Sequence, residues 1–194
     1  MSRTKWFPLA LAALVLSGVF AALYHHWREQ SQDVPIAAAA QRYGVDAALI
    51  KAVVWRESRF NPTIRGRAGE IGLMQITETA AREWADAERL TNFQPDQLLD
   101  PATNTLAGTW YLRKLLRRYP QTDHALPYAL ADYNAGRAHV LRWNQGAAQT
   151  NSAAFLQQMT FPGTRKYIAA ISQRYEKYRA ANSISPACAA TPAQ

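Results

Sequence analysis

From residue 35 to residue 180 the apolar positions recur at spacings of three and four, and no stretch alternates convincingly with period two. That pattern predicts a chain of helices. PIAAAAQRYG starts at Pro35 and stops at Gly44, the proline-first, glycine-last asymmetry of a helix. Asp46 is a good N-cap for a helix over 47–58. The stretch from Arg59 to Ile71 holds Pro62, Gly66 and Gly69 and reads as loop, and a helix resumes near Thr77 through TETAAREWADA. Asp100-Pro101 is an N-cap followed by proline at the first helical position, opening a long helix to about Tyr119. Leu106, Trp110, Leu112, Leu115, Leu116 and Tyr119 are its expected buried stripe. Further helices are predicted over 124–134 (ending at Gly136), 137–144, 152–159 and 163–180. Residues 28–34 read as a polar linker, and 181–194, rich in Ala, Ser and Pro, as a disordered tail. There is no internal repeat. The fold class is all-α, with one domain over 35–180.

The helix over 47–58 carries an anomaly. Ile50, Val53 and Val54 share one face, and Glu57 continues that apolar stripe with a carboxyl group. Burying a carboxylate without a partner is costly, and desolvation raises its pKa, which suits a general acid near neutral pH. Position alone slightly favours the plainer alternative, a structural pair with Arg56, Arg59 or another base at the helix end.

The N-terminus has a different pattern. Arg3 and Lys5 precede an uncharged, mostly apolar run from Trp6 to Tyr24. Residues 1–27 therefore read as a signal peptide or a signal-anchor helix. Val19-Phe20-Ala21 is a passable cleavage signal, while the run approaches the roughly 20 residues that span a bilayer. Tyr24 and Trp27 fit interfacial aromatics, as do His25 and His26 beside them. Positive charges ahead of the run put the start in the cytoplasm and the rest across the membrane.

Composition narrows the classes. With 194 residues, 48% hydrophobic and 11% aromatic including 6 Trp, the chain can bury a proper core and is not mostly disordered. A formal charge of +8 favours an anionic partner: nucleic acid, anionic lipid or acidic cell-wall polymer. The bases are scattered, with no Lys/Arg run of five or more, which argues against nucleic acid. Cys188 is a lone tail cysteine with no His or Cys at metal-ligand spacing, and His124 and His139 stand alone. Trp55, Trp84, Trp110 and Trp143 read mostly as core.

Two further segments bear on chemistry. In GEIGLMQI (69–76), Gly72 would let backbone approach a ligand closely, and Gln75 offers a donor and an acceptor to a sugar. Met74 could equally be core filler. In ALADYNAG (129–136), Tyr133 and Asn134 offer a stacking face and hydrogen bonds, or ordinary capping ahead of Gly136. The order Glu57-Ser58, then GLMQ, then ALADYNAG, then Tyr167 in TRKYIAAI resembles the lytic transglycosylases of the soluble-transglycosylase (SLT) family, related in fold to goose-type lysozyme. DPATNTLAGTWYLRKLL (100–116) is similar to that family's long helix between its second and third motifs. The resemblance covers roughly 35–180 and departs at Gly163, where the family often has Glu.

The resemblance implies a lysozyme-like domain that cleaves the β-1,4 bond between N-acetylmuramic acid and N-acetylglucosamine in peptidoglycan. The muramic 6-hydroxyl would attack, leaving a 1,6-anhydro end. Glu57 would be the single acid and then base, and no metal or organic cofactor is implied. A tethered nucleophile removes the need for the second carboxylate that glycosidases usually employ. Ser58, Gly72, Leu73, Met74, Gln75, Tyr133 and Asn134 would line the cleft or position the acid, with Tyr167 hydrogen-bonding near it. Glu70 would be peripheral and Asp132 solvent-facing, the two reserve carboxylates. The implied setting is periplasmic, with peptidoglycan strands as substrate and envelope-assembly proteins as partners. The rival readings are a muramidase on the same fold and a catalytically silent glycan-binding scaffold.

Overall fold

The computed structural model describes residues 7–183, with side chains from Leu11 onward. Among the described residues nine α-helices follow in order: α1 (Phe7–Gln30), α2 (Asp33–Tyr43), α3 (Ala47–Ser58), α4 (Glu78–Ala87), α5 (Pro101–Leu116), α6 (Ala125–Ala135), α7 (Arg137–Trp143), α8 (Ser152–Gln158) and α9 (Pro162–Ser183). Two short 3-10 turns, Pro95–Leu99 and Gly146–Gln149, were not foreseen. Among the described residues there is no strand, only isolated bridges pairing Ile71 with Arg65 and with Ile76.

The helix starts follow the predicted caps. Asp46 accepts from Ala48 N at 2.8 Å, and Asp100 accepts from Thr103 N at 2.8 Å ahead of Pro101. Gly44 closes α2 in the left-handed region at φ 63°. The predicted linker over 28–34 is not one: α1 runs through Gln30 and α2 begins at Asp33, leaving Ser31-Gln32 as a turn. The tail over 184–194, with Cys188, lies outside the described residues.

Helix α3 is the centre of the domain. Leu49, Ile50, Ala52, Val53 and Val54 are all buried, so both flanks of the helix are covered. Its principal partner is α9, while α2 lies mainly on α5, and α6 bridges α5 and α9. The stripe of α5 differs from expectation. Leu112, Leu115 and Tyr119 are buried, but Leu106, Trp110 and Leu116 are only half-buried. The inner face of that helix is completed instead by Asn104, Thr105, Ala107, Gly108 and Thr109. Among these, Asn104 and Gly108 receive the loop at Ile71 and Met74, while Thr105 donates to Pro35 O of α2 at 3.2 Å, so α5 packs on a loop as well as on its neighbouring helices.

Asp132 also departs from expectation. It is buried on α6 and accepts from Tyr119 Oη at 2.7 Å and Arg118 Nη1 at 2.6 Å, with Arg137 Nη1 at 4.0 Å. Two donors and a nearby guanidinium around one carboxylate make this a structural tie between the turn after α5, α6 and the start of α7. Trp84 and Trp143 are core, whereas Trp55 and Trp110 are half-exposed. The Arg59 and Arg174 guanidinium carbons lie 3.7 and 4.0 Å from the Trp55 ring centre.

Helix α1 has every described side chain from Leu11 to Trp27 exposed, among them Leu14, Leu16 and Phe20. It touches the domain near its end, where Glu29 pairs with Arg174 at 3.2 Å. Among the described residues no helix is long and apolar enough to cross a membrane. The start of the apolar run, from Trp6 to Ala10, falls outside the described side chains.

Candidate active site

Glu57 sits on the last turn of α3, which ends at Arg59 in the left-handed region with its N–H on Trp55 O at 3.2 Å. Ile50, Val53 and Val54 are fully buried and anchor the helix in the core, but none of them lines the cavity that Glu57 faces. Its Oε1 accepts from the Tyr167 hydroxyl of α9 at 2.5 Å. Burial pushes the Glu57 pKa above the ordinary glutamate value, and the Glu70 charge adds to that rise. The Tyr167 hydrogen bond and Arg56 pull it the other way and do not prevail.

Tyr167 is itself fully buried, and that burial, reinforced by Glu57, lifts its pKa well above the ordinary phenol value. It therefore stays an O–H donor. With Oε1 engaged by that donor, Oε2 is the oxygen left to carry a proton into the cleft.

The second motif is shaped from within the protein. Asn104 of α5 donates through Nδ2 to Ile71 O and Leu98 O, both at 2.8 Å, and accepts from Met74 N at 2.8 Å. Gly72 sits at φ 77°, and a Cβ there would fall 2.2 Å from Asn104 Nδ2 and 2.5 Å from Leu98 O. The close approach expected of Gly72 is thus to the chain's own Asn104 and Leu98. Leu73 and Met74 are fully buried and do not line the cleft. Met74 packs on Gly108, whose absent Cβ would fall 2.4 Å from its sulfur. Gln75 spends its amide nitrogen on Gly72 O at 2.9 Å and Ile64 O at 3.2 Å, with its carbonyl oxygen lying over Gly66.

The third and fourth motifs lock onto the first two. Tyr133 donates to Met74 O at 2.7 Å and packs against Tyr111, ring centres 5.6 Å apart. Asn134 is exposed and accepts from Thr164 Oγ1 at 2.9 Å. Thr164 and Tyr167 thus meet their partners although Gly163 stands before them. Ser58 turns into its own helix, donating to Val54 O at 3.0 Å, and does not reach the cleft.

Glu57, Glu70, Gln75, Thr77, Tyr133 and Asn134 line one polar cavity of about 240 Å³, with Tyr167 beneath Glu57. Larger hollows of about 390 and 460 Å³ lie beside Trp84–Phe93 and beside Pro127–Leu156, but neither is lined by a carboxylate. Sequence reasoning had set Glu70 at the periphery and missed Thr77 and Asn104. Asn104 could have been found: with Gly108, Leu112 and Leu115 it continues the inner stripe of α5 at helical spacing. Among the described residues no group of three or more His, Cys, Asp or Glu could hold a metal ion.

An all-helical domain with the half-buried Glu57 carboxyl at the end of its central helix, facing a polar cleft, is the class that fold and site define. The family model described as "Transglycosylase SLT domain" matches residues 34–156, and the chain belongs to that family. It is 32% identical over 174 residues to the soluble lytic murein transglycosylase of Escherichia coli, across 86% of this chain and 25% of that protein. The chain spans about a quarter of the length of that relative. Among solved structures, the 70-kDa soluble lytic transglycosylase of Escherichia coli matches with TM-score 0.66 and 28% identity, over 75% of this chain and 24% of the other. A 70-kDa soluble lytic transglycosylase in complex with bulgecin A gives TM-score 0.73 at 24% identity, over 97% of this chain and 30% of the other; at that identity the match bears on fold alone.

Proposed function

We propose that the chain is a peptidoglycan lytic transglycosylase. It cleaves the β-1,4 bond between N-acetylmuramic acid and N-acetylglucosamine and leaves a 1,6-anhydro muramic end. One observation carries this reading: Glu57, desolvated on the cavity wall and held through Oε1 by Tyr167 at 2.5 Å. Family membership and the names of its relatives support it.

Protonated Glu57 gives its proton to the glycosidic oxygen as the bond to the muramic anomeric carbon breaks. The muramic 6-hydroxyl oxygen then bonds to that carbon and returns its proton to Glu57. Acid and base are one residue because the nucleophile belongs to the substrate, already tethered and oriented. Gln75, Tyr133 and Asn134 contact the glycan. Tyr167 orients the acid, while Ser58, Gly72, Leu73 and Met74 support it by shaping α3 and the loop.

The transglycosylase domain covers 35–180. The apolar N-terminal segment directs it to the periplasm, as a signal-anchor or as a signal peptide that is removed, and the described side chains of α1 from Leu11 to Trp27 are exposed. The positive charge suits an anionic wall polymer, the scattering of the bases argues against nucleic acid, and envelope-assembly proteins are the expected partners. A hydrolytic muramidase is the second reading, favoured by Glu70 on the same cavity. Mass spectrometry of digested peptidoglycan decides between them. Anhydro-muramic ends are expected, and reducing muramic ends would overturn the lyase reading.

A further inference from the structure

The reaction proposed above needs one carboxylate, yet the cavity contains two. Glu70 lines it together with Glu57, Gln75, Thr77, Tyr133 and Asn134. The position is built rather than incidental. Glu70 Oε2 accepts from Ala68 N at 3.0 Å, and its own carbonyl accepts from Gly66 N at 2.7 Å, so a tight loop grips the residue at both ends. Gly66 leaves room above that loop: a Cβ there would meet Glu70 Oε2 at 2.1 Å and Gln75 Oε1 at 2.9 Å. The two side chains are therefore folded over the same glycine. Arg65, next in the loop, is directed elsewhere, to Asp96 at 2.8 Å. Among the described residues no base forms an ion pair with Glu70.

We propose that Glu70 is a second working carboxylate of this cleft, a positioning residue that acts on the reaction through Glu57. The inference rests on Glu57 being the acid. Four groups face Glu57: Arg56 from its own helix, Tyr133 from α6, Tyr167 from α9 and Glu70 from the loop. Arg56 and the Tyr167 hydroxyl favour the ionised carboxylate. Like charge from Glu70 opposes ionisation and, with burial, keeps the proton available for transfer. Tyr133 stays a neutral phenol, its pKa raised by burial and by Glu57. Glu70 is thus the one charged neighbour that works in the direction an acid catalyst requires.

The test is Glu70→Gln in the full chain. Gln keeps an oxygen for the Ala68 N–H, so the loop is preserved while the charge is lost, and circular dichroism checks the fold. Removing the charge lowers the Glu57 pKa, so the alkaline limb of kcat/KM for release of anhydro-muropeptides moves to lower pH, by roughly half a pH unit for two charges across a wet cleft. Glu70→Asp keeps the charge and is expected to keep the limb. A folded Glu70→Gln enzyme with an unmoved limb overturns the proposal. A second readout is independent of turnover: NMR titration of the 13C-labelled Glu57 carboxyl in parent and variant. Its midpoint falls in Glu70→Gln if the proposal holds, and an unchanged midpoint sinks it. If the parent released no anhydro products, the proposed reaction would fail on its own while the titration still judged the coupling.

Discussion

At the scale of single residues the site is a contest over one proton. Burial and Glu70 hold it on Glu57, while Arg56 and Tyr167 draw it off. Glu57→Gln removes the acid and is expected to lower release of muropeptides by about 10²–10⁴-fold, measured by chromatography of peptidoglycan digests. The same change should raise thermal stability at neutral pH. Because the folded pKa lies above the unfolded one, the native state binds more protons between the two values. Stability therefore falls as pH rises through that window. Melting curves of parent and variant should converge near pH 4 and separate by pH 8, the variant being the more stable. Tyr167→Phe deletes a donor that favours the carboxylate, so its alkaline limb should move to higher pH, opposite to Glu70→Gln. A pH–rate profile reads the direction, and a Tyr167→Phe limb moving downward would contradict the assignment. Glu57 was legible in the sequence as a carboxyl on an apolar stripe. Its partner lies 110 residues away in the chain, and no local pattern could have supplied that hydrogen bond.

At the scale of elements, helix starts and stops were written in capping chemistry, since Asp46, Asp100 and Gly44 act on backbone groups a few residues away. The loop over 64–76 was not written that way. Its shape comes from Asn104, whose amide ties Ile71 O and Met74 N of the loop to Leu98 O of the 3-10 turn ahead of α5. Asn104→Ala should leave those buried groups unsatisfied and cost on the order of 3 kcal/mol. Muropeptide release should also fall, although Asn104 does not line the cavity. Chemical denaturation and the digest assay measure the two effects, and a stable, fully active variant would disprove this account. The same dependence explains Gly72, Leu73 and Met74. Read as a run, GLMQ suggested a ligand-facing strip, but a buried asparagine on another helix turns three of its four residues inward. Likewise the polar stretch 28–34 resembled a linker because its hydrophilicity was visible and its helical continuation was not.

At the scale of the whole molecule, a basic domain follows an apolar helix whose described side chains from Leu11 to Trp27 are exposed. If that segment directs export, Leu16→Arg with Phe20→Arg should keep the chain in the cytoplasm. An alkaline phosphatase fusion reads this as lost reporter activity, and undiminished activity would count against the targeting assignment. Taken alone, the sequence determined the all-helical class, most helix boundaries, the N-terminal apolar run and the identity of the odd carboxyl, Glu57. Each of these depends on spacing, capping or hydropathy within a few residues, where physical cause and sequence neighbourhood coincide. Only the tertiary structure decided that Tyr167 holds Glu57, that Tyr133 binds the Met74 carbonyl, that Asp132 is a buried tie and that Glu70 shares the cavity. Those outcomes depend on which helices meet and how closely. Packing of distant segments sets that, and so the cleft around a single legible acid became visible only in the folded chain.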